Sequence, residues 1–224
     1  MTENTWIAVD DYFEALFTSK DKDLEAALDT SAGAGMTTQQ ITASQGKFLA
    51  ILAQSIGARS ILEIGTLYGY SAIWLGRTLS QDGKLISLEI DEQRAKTARR
   101  NIERAGLEKV VEIRQGPALE TLSQLATEEH APFDFVFVDA DKPNYRAYLD
   151  WVMKLTRRGS LIVADNIVRD GTVTQAYSRD EKVLGVRRFN SAVAEERRLN
   201  AVGIQTVGAK GYDGFLVALV TADK

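Results

Sequence analysis

The sequence predicts a doubly wound α/β fold: a mostly parallel seven-stranded sheet with helices on both faces, an antiparallel strand pair at its C-terminal end, and helices at the N-terminus. Three observations predict it. Five short apolar runs occur at residues 60–64, 84–90, 110–114, 133–138 and 160–164, and each of the first four is followed by a helical stretch, the alternation that gives parallel strands with crossover helices. The runs are apolar at nearly every position, as in strands buried on both faces. Two further runs, at 203–207 and 214–220, have little chain between them, and so short a connection permits only antiparallel pairing.

The other elements follow in order. Residues 4–57 read as helical. Trp6, Val9, Tyr12, Phe13, Leu16 and Phe17 recur at helical spacing. An Ala-, Leu- and Asp-rich segment then runs to Gly33 and Gly35, a polar stretch covers 37–40, and Phe48, Leu49, Leu52 and Ile56 give the next helix its apolar face. A last helix is expected over 183–199. With no repeat or linker, the chain reads as one domain over 1–224, a helical cap at 1–57 on a core at 58–224.

Composition excludes several function classes. The 224 residues carry a net charge of −4 and no long basic run, so the footprint of nucleic-acid binding is absent. The arginine pairs at 99–100, 157–158, 187–188 and 197–198 read mostly as solvated helix faces or ends. There is no Cys and one His, His130, which rules out disulfides, thiolate metal sites and a His-rich zinc site; His130 is expected at the surface. No run is apolar for the length of a bilayer and no signal peptide is visible, so the expectation is a soluble cytoplasmic protein with no membrane partner.

In an open α/β sheet, ligands bind at the carboxyl ends of the strands. The first strand ends Ile61-Leu62-Glu63-Ile64, and Gly65-Thr66-Leu67-Tyr68-Gly69-Tyr70-Ser71 then opens a helix. Glycines let a ligand approach the backbone, and a helix N-terminus offers free N–H groups. The second strand ends at Glu89, where an acid suits ribose hydroxyls. Neither a G-x-G-x-x-G fingerprint nor a G-x-x-x-x-G-K-[ST] loop is present, so an adenosine ligand without phosphates fits better than a dinucleotide or a triphosphate. A tight strand–helix turn alone would also account for Gly65 and Gly69.

These residues resemble the first motif of the class I S-adenosylmethionine-dependent methyltransferases, with their Rossmann-like fold, and more narrowly the cation-dependent caffeoyl-CoA and catechol O-methyltransferase group. Three further stretches agree: Gly116-Pro117-Ala118-Leu119, the run from Phe135 through Asp139-Ala140-Asp141-Lys142-Pro143-Asn144 to Tyr145, and Ala164-Asp165-Asn166. The likeness runs from about Ile41 to the end. It implies that Gly65, Thr66 and Ser71 bind the methionine part of S-adenosylmethionine, with Glu63 holding the loop or the amino group. It puts Glu89 at the ribose, Ala118 against the adenine, and Asp141 beside the amino group or sulfonium. Ile41 falls in the segment closing over the cofactor, where the family usually has Thr or Ser.

Asp139 lies just past one apolar run, and Asp165 and Asn166 just past another, so in a parallel sheet they face one crevice. Two carboxylates and an amide form a hard oxygen set suited to Mg²⁺, Mn²⁺ or Ca²⁺; helix capping is the alternative use of such residues. A cation contacting a phenol oxygen would stabilise its anion, and two adjacent hydroxyls could both bind it. The resemblance makes Lys142 the general base; it would otherwise stay charged and steady the phenolate. The expected acceptor is a small hydroxylated aromatic, catechol-like or phenylpropanoid-like. Asp170, at a substrate position often Asn or His in the family, is expected to contact it, with Arg169, Tyr177 and the segment 208–214, including Lys210, Tyr212 and Asp213, nearby. The N-terminal helices and the family likeness suggest a homodimer. The competing readings are a metal-independent methyltransferase, a nicotinamide-dependent dehydrogenase of similar fold, and a non-catalytic binding protein.

Overall fold

The computed structural model describes residues 2–33, 35, 40–128 and 132–223. His130 and positions 37–39 lie outside them, so their expected surface and loop roles are not addressed. Three helices precede the sheet: α1 (Glu3–Phe17), α2 (Lys22–Gly33) and α3 (Ala43–Ser55). A reciprocal cap begins α3: Gln45 N–H donates to Thr42 Oγ1 at 3.2 Å, and Thr42 N–H donates to Gln45 Oε1 at 2.8 Å.

Strands and helices then alternate as expected: β1 (Ser60–Ile64), α4 (Tyr70–Gly76), β2 (Lys84–Glu89), α5 (Glu92–Arg104), β3 (Val111–Gln115), α6 (Ala118–Leu125), β4 (Phe133–Val138), α7 (Tyr145–Leu155) and β5 (Thr156–Asp165). After α8 (Glu181–Glu195) come β6 (Leu199–Gly208) and β7 (Gly211–Val220). The strand order is β3-β2-β1-β4-β5-β7-β6. Strands β1 to β5 are mutually parallel, and β7 runs antiparallel to both β5 and β6. The doubly wound mixed sheet predicted from the apolar runs is therefore present.

The period-2 alternation of each strand divides the core into two layers. Leu62, Ile64, Val136 and Val138 pack with α6, α7 and α8 through Leu122, Tyr145, Tyr148 and Phe189. Ile61, Phe135 and Phe137 pack with α2 to α5 through Leu24, Leu49, Ile73 and Ala98. The order of the sheet reverses between β1 and β4. At that point Gly65 N–H continues the ladder to Leu88 O (3.0 Å) and Asp139 N–H to Ile64 O (2.9 Å), leaving a crevice at the strand ends.

Several boundaries differ from the sequence reading. Helix α8 stops at Glu195, not 199, and β6 begins at Leu199. As an edge strand β6 is mostly exposed, so only 203–207 of it reads as a strand in the sequence. Strand β5 begins four residues before the expected 160, at Thr156, which places Arg157 and Arg158 in a strand and not on a helix. No helix among the described residues is long and apolar enough to cross a membrane.

Candidate active site

The crevice opens into a cavity of ≈ 840 Å³ at the carboxyl ends of the parallel strands, within the usual range for small-molecule sites. Ile41, Gly65, Thr66, Ser71, Glu89, Ala118 and Asp141 line it, and so do Asp139, Lys142, Asp165, Asn166, Arg169, Asp170 and Tyr212. Tyr177 does not: it stands 98% exposed away from the cavity, which corrects the expectation that it neighbours the acceptor.

On one side lies the loop after β1. Gly65 has φ +102°, and a Cβ there would lie 2.0 Å from Asp139 O, so only glycine lets β1 and β4 end this close together. Leu67 takes the left-handed conformation at φ +53°, and Glu89 holds it there. Glu89 Oε2 accepts from Leu67 N–H at 2.8 Å and Oε1 from Asp91 N–H at 2.9 Å. Each oxygen keeps acceptor capacity, since a carboxylate offers about four lone-pair sites.

Behind this loop Glu63 is fully buried and does not line the cavity surface. Ser87 donates to its Oε2, and the Ser87 and Thr66 hydroxyls bond to each other. Burial pushes the Glu63 carboxyl up to about 7; the hydroxyls of Ser71 and Ser87 pull it down, and the charges of Asp139 and Glu89 push it up. Ser71 acts on the carboxyl, yet Oε1 has no hydrogen-bond partner of good geometry within the chain. A buried acceptor without a donor fits a cationic group arriving at Thr66 and Ser71, as the amino end of S-adenosylmethionine would. Asp141 is held at both oxygens, by the Tyr148 hydroxyl and by Asn144 Nδ2 (2.6 Å).

On the other side Asp139, just after β4, meets Asp165, the last residue of β5. Burial and the neighbouring Asp139 charge push Asp165 up to about 7, while Lys142 pulls it down. Asn166, the third expected donor, follows at φ +57°. Among the described residues no group of three or more His, Cys, Asp or Glu could hold a metal ion; the set is two carboxylates and an amide. All three residues line one cavity, and their donors are hard oxygens, so the residues fit Mg²⁺, Mn²⁺ or Ca²⁺.

Lys142, buried in a 3-10 turn (Lys142–Asn144), donates to Asp139 Oδ1 at 3.0 Å and to the Tyr145 hydroxyl at 2.6 Å. Tyr145 is entirely buried, and its hydroxyl reaches Val138 O (3.2 Å) and Asp165 O (3.1 Å). Tyr145 ends the third matching motif, but no role follows from its sequence position, because the contact with Lys142 appears only in the fold.

The far wall is the loop after Asn166, facing the β6–β7 turn. Arg169 and Asp170 take φ +55° and +53°, conformations that cost ~1–3 kcal/mol each and collect at functional sites. Asp213 Oδ1 fixes the loop by accepting from the N–H groups of Val168, Arg169 and Gly214, each at 3.0 Å. Asp10 of α1 accepts from Ala209 N–H at 2.7 Å, which brings the N-terminal helix to the rim of the cavity.

The chain is similar to known proteins in sequence and fold. Residues 19–218 match a family model described as O-methyltransferase. A catechol O-methyltransferase from Niastella koreensis is 46% identical over 98% of this chain and all of its own length. A catechol O-methyltransferase from Mycobacterium tuberculosis is 45% identical, covering 95% and 94%. Among solved structures, an O-methyltransferase from Bacillus cereus in complex with SAH superposes with a TM-score of 0.96 at 49% identity, covering 98% of this chain and 100% of the other. One from Streptomyces achromogenes involved in tomaymycin synthesis, in complex with SAM, gives 0.96 at 43%, covering 99% and 100%.

Proposed function

This chain belongs to the O-methyltransferase family and is an S-adenosylmethionine-dependent O-methyltransferase; we propose that its acceptor is a small phenol with two adjacent hydroxyls and that transfer requires a divalent cation held by Asp139, Asp165 and Asn166. The observation carrying this reading is that the residues suited to the cofactor and those suited to a cation and a phenol line a single cavity. Catechol O-methyltransferases among the relatives support the choice of acceptor.

The family resemblance and the shared cavity support the following roles. Gly65, Thr66, Ser71 and Glu63 receive the methionine end of the cofactor, Glu89 the ribose, Ala118 and Ile41 the adenosine side, and Asp141 the region of the sulfonium. The cofactor supplies an electrophilic methyl carbon, whose bond to sulfur breaks as its bond to the acceptor oxygen forms. A divalent cation held there would lower the pKa of a phenol that otherwise ionises near pH ~10. Lys142 lines the same cavity and would stand near the acceptor oxygen. Beside Asp139 and the Tyr145 hydroxyl, it either takes the phenol proton as general base or pairs with the phenolate as it forms. Asp170, Arg169 and Tyr212 border the acceptor.

The two chains of a homodimer would meet through α1, where Tyr12, Phe13, Leu16 and Phe17 are exposed together, with the Phe13 and Phe17 rings stacked at 6.0 Å. Sedimentation of the parent against a Phe13→Glu/Phe17→Glu variant tests this; a monomeric parent rejects it. The function itself is tested with labelled S-adenosylmethionine and a panel of vicinal diphenols, with and without a chelator. Transfer to an adjacent-hydroxyl acceptor that stops on chelation and returns with Mg²⁺ or Mn²⁺ is expected. Full turnover in chelated protein would reject the metal role, and no transfer to any diphenol would reject the acceptor class.

A further inference from the structure

Two cations on the acceptor wall take no part in the chemistry above. Arg169 lies on the loop after β5 and Lys210 in the two-residue turn between β6 and β7, and both line the cavity. Among the described residues neither side chain has a carboxylate within 4.0 Å. The acids around them are otherwise engaged. Asp213 is taken by three backbone N–H groups, Asp10 by Ala209, Asp141 by Tyr148 and Asn144, and Asp139 by Lys142. Asp170 stands beside Arg169 in sequence but makes no ion pair with it.

Arg169 is only half-buried, yet its Nε is shielded from solvent and has no acceptor, an arrangement that loses free energy unless a ligand supplies one. Lys210 is exposed as a residue, but burial around its ammonium lowers its pKa, and Asp139 and Asp165 pull it back up. Lys210 and Arg169 line the same cavity as Asp139 and Asp165. A guanidinium fork matches a planar carboxylate through two parallel N–H···O bonds.

Resting on the acceptor reading above, we infer that the preferred acceptor is an aromatic vicinal diphenol that also carries a carboxylate, held between Arg169 and Lys210 while its hydroxyls face Asp139 and Lys142. The two cations are specificity-determining residues: they select an anionic acceptor over a neutral or cationic one of the same ring.

The test separates recognition from transfer. Protein loaded with S-adenosylhomocysteine and Mg²⁺ is titrated calorimetrically with 3,4-dihydroxybenzoate, with its methyl ester, and with 3,4-dihydroxyphenethylamine. The acid should bind about tenfold more tightly than the ester, as expected for one charge-assisted contact, with the amine weakest. Lys210→Gln and Arg169→Gln should each reduce the acid-to-ester ratio several-fold. Equal affinities, a ratio that neither variant changes, or no binding of the acid would overturn the inference. Labelled-methyl transfer to the same three compounds is measured in parallel. Charge-selective binding without transfer would sink the acceptor reading alone, and transfer to acid and ester at equal kcat/KM with equal affinities would sink the inference alone.

Discussion

The Lys142 ammonium donates to the hydroxyl of Tyr145 across 2.6 Å. That hydroxyl in turn reaches the carbonyls of Val138 and Asp165, the terminal residues of β4 and β5. One phenol therefore ties together the two strand ends that carry Asp139 and Asp165, and fixes the lysine between them.

Tyr145→Phe should keep the packing of the ring and lose only the tie. The folded state should lose ~1 kcal/mol, the net worth of a buried hydrogen bond, read as a shift in urea midpoint. Turnover should fall more than stability suggests, by ~10–100-fold, because a misplacement near 1 Å costs that much in an oriented site. Cofactor affinity should hold, since Tyr145 does not line the cavity. A variant with parental kcat would show that Lys142 needs no such support.

Glu63 makes cofactor-free stability depend on pH. Its carboxyl is pushed from 4.5 up to about 7 by burial. Below pH 4.5 it is neutral in both folded and unfolded chains, and its contribution is fully present. Between 4.5 and 7 the unfolded chain releases the proton first, so stability falls as pH rises, and above 7 the loss is complete. A shift of this size corresponds to about 3 kcal/mol. Glu63→Gln should remove that slope: relative to the parent, the variant gains stability from pH 5 to pH 8 in urea titrations without cofactor. Parallel profiles would mean that Glu63 ionises normally. If the cofactor ammonium meets Oε1, binding near pH 7 should also release protons, visible in calorimetry as a dependence of heat on the buffer used.

Much of this site was legible in the sequence because it sits at the ends of strands buried on both faces. Glu89, Asp139 and Asp165 end or directly follow apolar runs, so each announced both a strand end and a polar group in the crevice; Glu63 interrupts its run one residue earlier and lies buried behind the loop. Groups whose work depends on contacts between elements were not legible. Ser87 and Tyr145 look like ordinary strand and helix residues until Glu63 and Lys142 are set beside them. Tyr177 shows the converse: nearness in sequence to Asn166 says nothing about which way a surface loop turns, and its side chain is exposed away from the cavity. The edge strand β6 was shortened because its exposed side chains carry no core pattern.

Asp165→Asn separates metal binding from folding. The amide can still accept from Asn166 N–H, which bonds Asp165 Oδ1 at 2.7 Å, while a buried charge facing Asp139 disappears. The variant without divalent cation should therefore melt above the parent, and its turnover should fall to background with cofactor affinity within about twofold. Asp139→Ala should lose turnover as well, but gain no stability, because it strips Lys142 of its partner. Turnover retained by either variant would reject the ligand assignment.

Glu89 serves the loop and the ligand at once, and two substitutions can tell these roles apart. Its oxygens accept from Leu67 and Asp91 N–H groups, so Glu89→Ala releases a residue held at φ +53° as well as removing a ribose acceptor. Cofactor affinity should fall ~10–100-fold, in line with ~1.5–3 kcal/mol for hydrogen bonds to a charged group, and the melting midpoint should drop too. Glu89→Gln keeps one oxygen for Leu67 but turns an amide donor toward the Asp91 N–H and removes the charge. If Glu89 binds ribose hydroxyls, Gln should recover most of the midpoint and little of the affinity. If it only braces the loop, affinity and midpoint should recover together, and the ribose assignment would fall.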